Sequence, residues 1–354
     1  MTTHSAHPRY APATLQAFCS QVMQRCGLAP VDAETVAATL VRSDARGWRT
    51  HGIARLSSYV QLIEDHSFNP RPDIRHDCHR GAIVVEADGA MGQVAGREIL
   101  QLARRELAGS ASLLVVVRDV GHLGALGIHA LAAAEAGLFC MLGQQAPPMM
   151  AMEGFHRAAI GNNPLAFGCP GPGGEPLVFD MACSKAARGH VLLAAREGKA
   201  LPEGWAVDEE GEPTTDAQRA LRGALLPVGG HKGLGLAMLV QVLAASLGAT
   251  AESLARGLPA LRPTGGSSAV GAFFWFVDPG AFGGRATFDD GMAQWVDYFI
   301  ASAGAGAARL PGARGAALER EVNRQGLDLT EAVTAELRGV AQKLDVPFPE
   351  PLGA

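Results

Sequence analysis

Residues Leu113-Leu114-Val115-Val116-Val117 form an unbroken apolar, β-branched run that leaves no polar side for water. Such a run suits a strand covered on both faces, so its sheet needs other layers above and below it. Around it, from Ala82 onward, strand-sized and helix-sized patterns alternate. Ile83-Val84-Val85 reads as a short strand and Gly92 to Leu107 as a helix. The loop Gly121-His122-Leu123-Gly124 then leads into a helix over Ala125 to Ala136, followed by strands at Leu138 to Leu142, Leu165 to Phe167 and Leu177 to Phe179. Alternation of this kind places the middle of the chain in the α/β class.

Both ends read as helical. Leu15, Phe18, Val22 and Cys26 fall on one face over Ala11 to Cys26, and a second helix follows Pro30. A third begins about Ile53, with Leu56, Val60 and Ile63 directed inward, whereas Asn69 to Arg80 reads as a polar linker. Near the other end, Thr330 caps a helix that turns Val333, Leu337, Val340 and Leu344 inward. Glu203 to Asp216 carries turn residues throughout and suits an exposed hairpin, and Thr287-Phe288-Asp289-Asp290 has the form of a capping box. The implied organisation is an N-terminal helical segment over 1–75, an α/β unit over 76–304, and a C-terminal helical segment over 305–354 that packs with the first.

A formal charge of -5 argues against a general nucleic-acid binder, whose footprint is basic. No apolar run reaches the roughly 18 residues of a membrane span, and Met1 to Tyr10 is too polar for a secretory signal. The 6 cysteines form no CxxC, the pattern of reduced thiols in a cytoplasmic protein. His76-Asp77-Cys78-His79 collects ligand types too closely spaced to share one tetrahedral ion, so no metal is expected.

Four stretches carry possible chemistry. In Val228-Gly229-Gly230-His231-Lys232-Gly233-Leu234-Gly235, glycines clear the main chain around two cationic or donor side chains, just where an apolar run over Leu234 to Leu247, which reads as a buried helix, begins. A helix start of that kind suits phosphate or another anion, and the plainer alternative is a tight turn with Lys232 solvated. Thr50-His51, with Arg46, Arg49 and Arg55 close by, suits a carboxylate substrate. Arg would grip the carboxylate while His exchanges a proton beside it, or else His51 caps a helix among solvated arginines. His122 follows the central strand, where α/β proteins place ligand loops, and is as compatible with a structural role. Asp180 ends a strand, four residues before Ser184, and either orients a ribose or imidazole or caps the following helix. The complete G-x-G-x-x-G, Walker, HExxH and G-x-S-x-G signatures are absent.

Taken in order, these stretches resemble the malate/L-lactate dehydrogenase family, which is unrelated to the Rossmann-type enzymes. The resemblance rests on Thr50-His51-Gly52-Ile53-Ala54-Arg55-Leu56, Gly161-Asn162-Asn163-Pro164, Asp180-Met181-Ala182, Pro202-Glu203-Gly204-Trp205-Ala206, Gly229 to Leu236, Val277-Asp278-Pro279 and Leu310-Pro311-Gly312. It implies a non-Rossmann cofactor domain with a large mixed β-sheet flanked by helices, plus a helical domain from both termini. It also implies a homodimer using NAD or NADP on a small carboxylate substrate. By motif, His51, His122, Arg55 and Thr50 become the expected catalytic residues. Asp180, Met181, Ser184, His231, Lys232, Gly233, Gly312 and Asn163 become the expected cofactor contacts. Family members usually carry Ser at position 50, Asn at 121 and Thr at 162. These departures bear on substrate, and the choice lies between 2-oxo acids, cyclic 2-imino acids such as piperideine- or pyrroline-2-carboxylate, and a non-catalytic nucleotide-binding relative.

Overall fold

The computed structural model describes residues 7–256, 270–304, 306 and 308–353, so residues 1–6 of the polar start lie outside the described residues. Strand β1 (Arg9–Tyr10) pairs antiparallel with β12 (Leu327–Asp328) and ties the two ends of the chain together. Helices α1 (Pro12–Arg25), α2 (Pro30–Ala45) and α3 (Leu56–Glu64) pack with α12 (Ala313–Gln325) and α13 (Glu331–Leu344). Their shared core includes Leu15, Phe18, Val22, Leu40, Leu56, Leu327, Leu337 and Val340. Prolines open α1 and α2 at positions where a missing N–H costs nothing, and Thr330 caps α13 through the Val333 N–H, as expected.

Seven strands form the large mixed sheet: β2 (Arg75–His79), β3 (Ala82–Glu86), β4 (Ser112–Val120), β5 (Phe139–Gln144), β6 (Leu165–Cys169), β7 (Leu177–Met181) and β11 (Val270–Val277). Their order is β2-β3-β4-β11-β5-β6-β7, with β3 and β4 parallel and every other neighbour antiparallel. The apolar run therefore lies inside the sheet. Leu113, Val115 and Val117 face α4 (Gly92–Glu106) and α5 (Leu126–Glu135), while Val116 on the other face is 5% exposed and touches the chain at Gly248. That other face is covered near its middle by α8 (His231–Gln241) and a π-helical turn over Val242–Ser246, through Leu165, Val240, Ala244 and Phe273. A smaller lobe holds α6 (Arg188–Glu197), β8 (Ala206–Val207), β9 (Pro213–Thr214), α7 (Ala217–Arg222) and β10 (Ala224–Leu225). Short α9 (Ala251–Arg256) and α10 (Gly280–Gly283) precede the long α11 (Arg285–Ala301).

Several expectations need correction. The polar linker over Asn69 to Arg80 contains β2, an edge strand whose residues, His76 to His79 among them, are all exposed. Neither face of this edge strand is covered, so its sequence carries no apolar alternation to betray it. α11 starts at Arg285 behind Gly284, so the presumed capping box at Thr287 lies inside the helix. Glu203 to Asp216 does form a hairpin, but Ala206, Val207 and Asp208 are buried within it. The apolar helix after the glycine-rich turn is not buried all round: Met238, Leu239, Val242 and Leu247 are 52%, 41%, 49% and 52% exposed.

Candidate active site

The loop after α2 is built around one buried carboxylate. Asp44, near the C-terminus of α2, accepts the Ile53 N–H at 2.6 Å. A Cβ on Gly52 would sit 2.2 Å from that carboxyl group, so only glycine lets the chain pass. Between these anchors lie two 3₁₀ turns, Arg49–His51 and Ile53–Arg55, rather than the start of a regular helix expected at Ile53. Burial pushes the Asp44 carboxyl up to about 7. His51 thus stands on a fixed turn, with Thr50 Oγ1 at 2.9 Å from its Nδ1.

The three arginines near His51 have separate duties. Arg46 is buried against Glu319 at 2.6 Å and lies over the Trp48 ring, and Arg49 pairs with Asp328 at 2.6 Å. Arg55 donates to the Thr50 carbonyl at 2.9 Å, and among the described residues no carboxylate pairs with it. Of the three arginines close to His51, only Arg55 keeps its guanidinium without a carboxylate partner among the described residues. Salt bridges within the protein claim the other two.

His122 comes from the loop after β4, and its ring stacks on His51 with centroids 5.5 Å apart and planes at 26°. Three side chains, Gln144 and Tyr59 buried and His129 half-buried, hold this loop, and none of them stood out in the sequence. Gln144, at the end of β5, accepts the Leu123 N–H at 3.0 Å and donates to the Gly121 carbonyl at 2.9 Å. His129 on α5 bonds the Leu123 carbonyl through Nε2 at 2.9 Å. Tyr59 on α3 places its hydroxyl 3.0 Å from His122 Nδ1. The sequence did hold a signal for Tyr59, since residues 51, 55 and 59 are spaced four apart and share a side of the α3 approach. Gln93 and Gln144 are polar residues at buried positions, which only a partner in space explains.

Both imidazoles are held neutral. Burial, followed by the positive charge of Arg55, pushes His51 down to about 4. Burial, then His51, Arg55 and His129, pushes His122 down to about 3.

Asp180, at the end of β7, belongs to the same neighbourhood. It does not cap the helix that follows it in sequence. Its Oδ2 accepts the Gly127 N–H at 2.8 Å and caps α5, the helix that begins where the His122 loop ends. Burial pushes this carboxyl up to about 6, with the Gly127 bond opposing. A Cβ on Gly127 would lie 2.5 Å from the Trp48 ring, three residues before His51. His51, Thr50, Arg55, His122 and Asp180 are therefore gathered by contacts among α2, α3, α5 and β7.

The remaining expected residues follow the continuation of β7. Past Met181, Cys183 donates its N–H to Asn162 at 2.9 Å and accepts from Val228 at 2.9 Å, and Lys185 donates to Leu226 at 2.8 Å. This lacing brings Met181 and Ser184 beside the turn that opens α8. Gly229 and Gly230 both take positive φ there, 60° and 63°, and a Cβ on Gly233 would meet the Val228 carbonyl at 2.3 Å. The first-turn N–H groups are less available than the sequence implied, because Gly233 donates to Val228 at 2.9 Å and Lys232 to Gly229 at 3.4 Å. What the turn does present is the exposed side chains of His231 and Lys232. Gly312 borders β7 as well, where a Cβ would lie 3.0 Å from the Val178 nitrogen. Asn163 is wholly buried, and its amide serves Ala146, Ala237 and Gln241. Its side chain braces the loop before β6 against α8. Ser184 is also buried, with its hydroxyl on the Ala186 carbonyl at 2.8 Å.

Comparison with known proteins matches the malate/L-lactate dehydrogenase family model over residues 10–338. The chain belongs to the malate/L-lactate dehydrogenase family. It is 32% identical over 339 residues to the Δ1-pyrroline-2-carboxylate reductase of Pseudomonas fluorescens, covering 94% of this chain and 99% of that one. It is 34% identical over 341 residues to the (2R)-3-sulfolactate dehydrogenase (NADP(+)) of Chromohalobacter salexigens, covering 90% and 94%. Among solved structures, malate dehydrogenase from Pyrococcus horikoshii superimposes with a TM-score of 0.85 at 27% identity over 99% of both chains. Membership makes this protein an oxidoreductase whose relatives are dehydrogenases and reductases of small acids, built on the mixed sheet described above.

Proposed function

We propose that this family member transfers a hydride between a nicotinamide cofactor and C2 of a small 2-oxo or 2-hydroxy carboxylate. The observation that carries the proposal is the stacked His51–His122 pair beside Arg55, a guanidinium that no carboxylate among the described residues neutralises. Arg55 would grip the substrate carboxylate. That anion would offset the positive field that keeps His51 neutral, so the imidazole would hold a proton for the forming alkoxide. Thr50 would orient the His51 ring through Nδ1.

NAD or NADP would supply the hydride. The glycine-cleared turn at Gly229 and Gly230, with nothing within 4 Å of a Cβ on Gly230, leaves room for a phosphate against exposed His231 and Lys232. Asp180, Met181, Gly233 and Gly312 would border the cofactor, with Ser184 and Asn163 supporting the site from beneath. Lys185, Arg188, Lys232 and Arg314 are the cations available to read a 2′-phosphate. Titrating NADH and NADPH separately tests this, and parallel dissociation constants would remove all four from that role.

The second reading keeps the apparatus and reduces the C=N bond of a cyclic 2-imino acid. It is favoured by the Pseudomonas fluorescens reductase, which matches nearly end to end. Oxidation of NAD(P)H by pyruvate, oxaloacetate or phenylpyruvate, set against piperideine- and pyrroline-2-carboxylate, separates the two. Turnover with the imines alone would discard the hydroxy-acid reading.

We also propose a homodimer in the cytoplasm. The far sheet face carries stacked Phe139, Phe167 and Phe179 beside Trp275, which is 41% exposed. On α11, Trp295, Tyr298, Phe299 and Ile300 are 40% exposed or more. Apolar surface of this extent suits a partner. The 6 cysteines are free thiols, which suits a reducing compartment, and among the described residues no helix is long and apolar enough to cross a membrane. Segments 1–75 and 305–354 would form one unit and 76–304 the other, as their separate cores suggest.

A further inference from the structure

The two histidines sit in unlike hydrogen-bonded settings, and the difference assigns them separate tasks. His51 Nδ1 faces the hydroxyl of Thr50, an exposed residue whose rotor can give or accept a proton. His122 Nδ1 faces Tyr59, whose side chain is 1% exposed and whose hydroxyl is 3.0 Å away. Behind Tyr59 stands Gln93, also 1% exposed, with its amide Nε2 at 3.0 Å from the same hydroxyl.

A phenol has one proton. If the Gln93 N–H donates to the Tyr59 oxygen, the Tyr59 O–H is left to donate, and the described residues offer it one acceptor, His122 Nδ1. That nitrogen must then carry its lone pair, so neutral His122 keeps its hydrogen on Nε2. Reversing the Gln93 amide would reverse the chain, and the surroundings oppose this. The Oε1 position is buried without a partner among the described residues. As placed, it leaves a carbonyl oxygen unmatched, whereas the reversed amide would bury an NH₂ there with neither hydrogen paired. An orphaned N–H is the rarer and costlier fault.

We infer that Tyr59, set by Gln93, is a positioning residue that locks His122 in the Nε2–H tautomer, so that His122 serves as a neutral hydrogen-bond donor to the substrate. The inference rests on the oxidoreductase reading above. In the reducing direction the hydride goes to C2 and the substrate oxygen takes its proton from His51, which ends neutral. His122 polarises the C=O bond throughout and neither gains nor loses a proton. One fold thus divides the work between two histidines by giving them different hydroxyl partners.

The test begins with ¹⁵N-labelled enzyme and long-range ¹H–¹⁵N correlation spectra of the imidazole rings, with His122 assigned by comparison with His122→Gln. The wild type is expected to show His122 Nδ1 unprotonated and Nε2 protonated at neutral pH. Tyr59→Phe should release the lock and give a mixture of tautomers. Gln93→Met frees the Tyr59 oxygen to accept from Nδ1–H, so it should move the population the same way while leaving the phenol in place. Turnover in Tyr59→Phe should fall about tenfold, the scale of one lost hydrogen bond, with the KM for NAD(P)H unchanged. A wild-type His122 protonated on Nδ1, or an unaltered tautomer in both variants, would overturn the inference. Absence of turnover with every 2-oxo and 2-imino acid would instead remove the proposed substrate reading, and the spectra would still decide the role of Tyr59.

Discussion

The proposed function assigns His51 to proton transfer and Lys232 to the cofactor, and single substitutions test that division. His51→Ala should lower kcat by about 10²–10⁴-fold, the usual scale for losing a general acid, and leave the cofactor dissociation constant unchanged. Lys232→Ala should raise the cofactor KM more than it lowers kcat. Loss of cofactor binding in His51→Ala, with normal turnover at saturation, would sink that division. Asp44 gives a prediction of a different kind. Its folded-state value, about 7, lies above the ordinary 3.8, so the folded protein binds a proton that the unfolded chain has released between those two pH values. Wild-type stability therefore declines on this account as pH rises from about 4 to about 7. Asp44→Asn keeps an acceptor for the Ile53 N–H and removes the titration. Its Tm relative to wild type should climb across that window, and a constant difference would show that Asp44 is ionised throughout.

Helix α5 is the element that touches both sides of the candidate site. Its first turn is closed by Asp180 from β7, Trp48 lies against its Gly127, and the His122 loop feeds directly into it. Its other end is gripped by Arg42 of α2, which pairs with Glu135 at 2.6 Å and with Glu319 of α12 at 2.7 Å. Asp180→Ala removes a cap and should cost about 1 kcal/mol in urea unfolding. Gly127→Ala forces a methyl into the Trp48 ring, an overpacking fault of about 1–3 kcal/mol, and should also lower kcat by displacing the turn that bears His51. Adding Trp48→Leu should restore part of both losses. If Gly127→Ala proves silent in kcat, α5 does not couple to that turn.

At the scale of the molecule, the exposed aromatic face is the feature that a single copy leaves unexplained. Analytical ultracentrifugation should give a mass of twice 36.8 kDa. Tyr298, 74% exposed on α11, is the residue at which to break the assembly, and Tyr298→Arg should yield a monomer. A wild type that sediments as a monomer at micromolar concentration would end the dimer proposal.

Much of this protein was legible in its residues because the signals were local. The central strand at Leu113–Val117 was written in one run of side chains, and the Thr330 cap in one position before a periodic helix. His51 and His122 were marked by the motifs around them. What sequence could not convey was the partner of each polar group. Arg46, Arg49 and Arg55 look alike within ten residues of chain. Glu319 and Asp328, more than two hundred residues away, claim the first two and leave the third. Asp180 reads as a cap for the next helix, yet it caps one that begins 54 residues earlier, because β7 ends beside α5. The edge strand β2 and the bare face of α8 escaped for the same reason. Hydrogen bonds, ion pairs and burial belong to pairs of surfaces, and chain distance does not say which surfaces will meet.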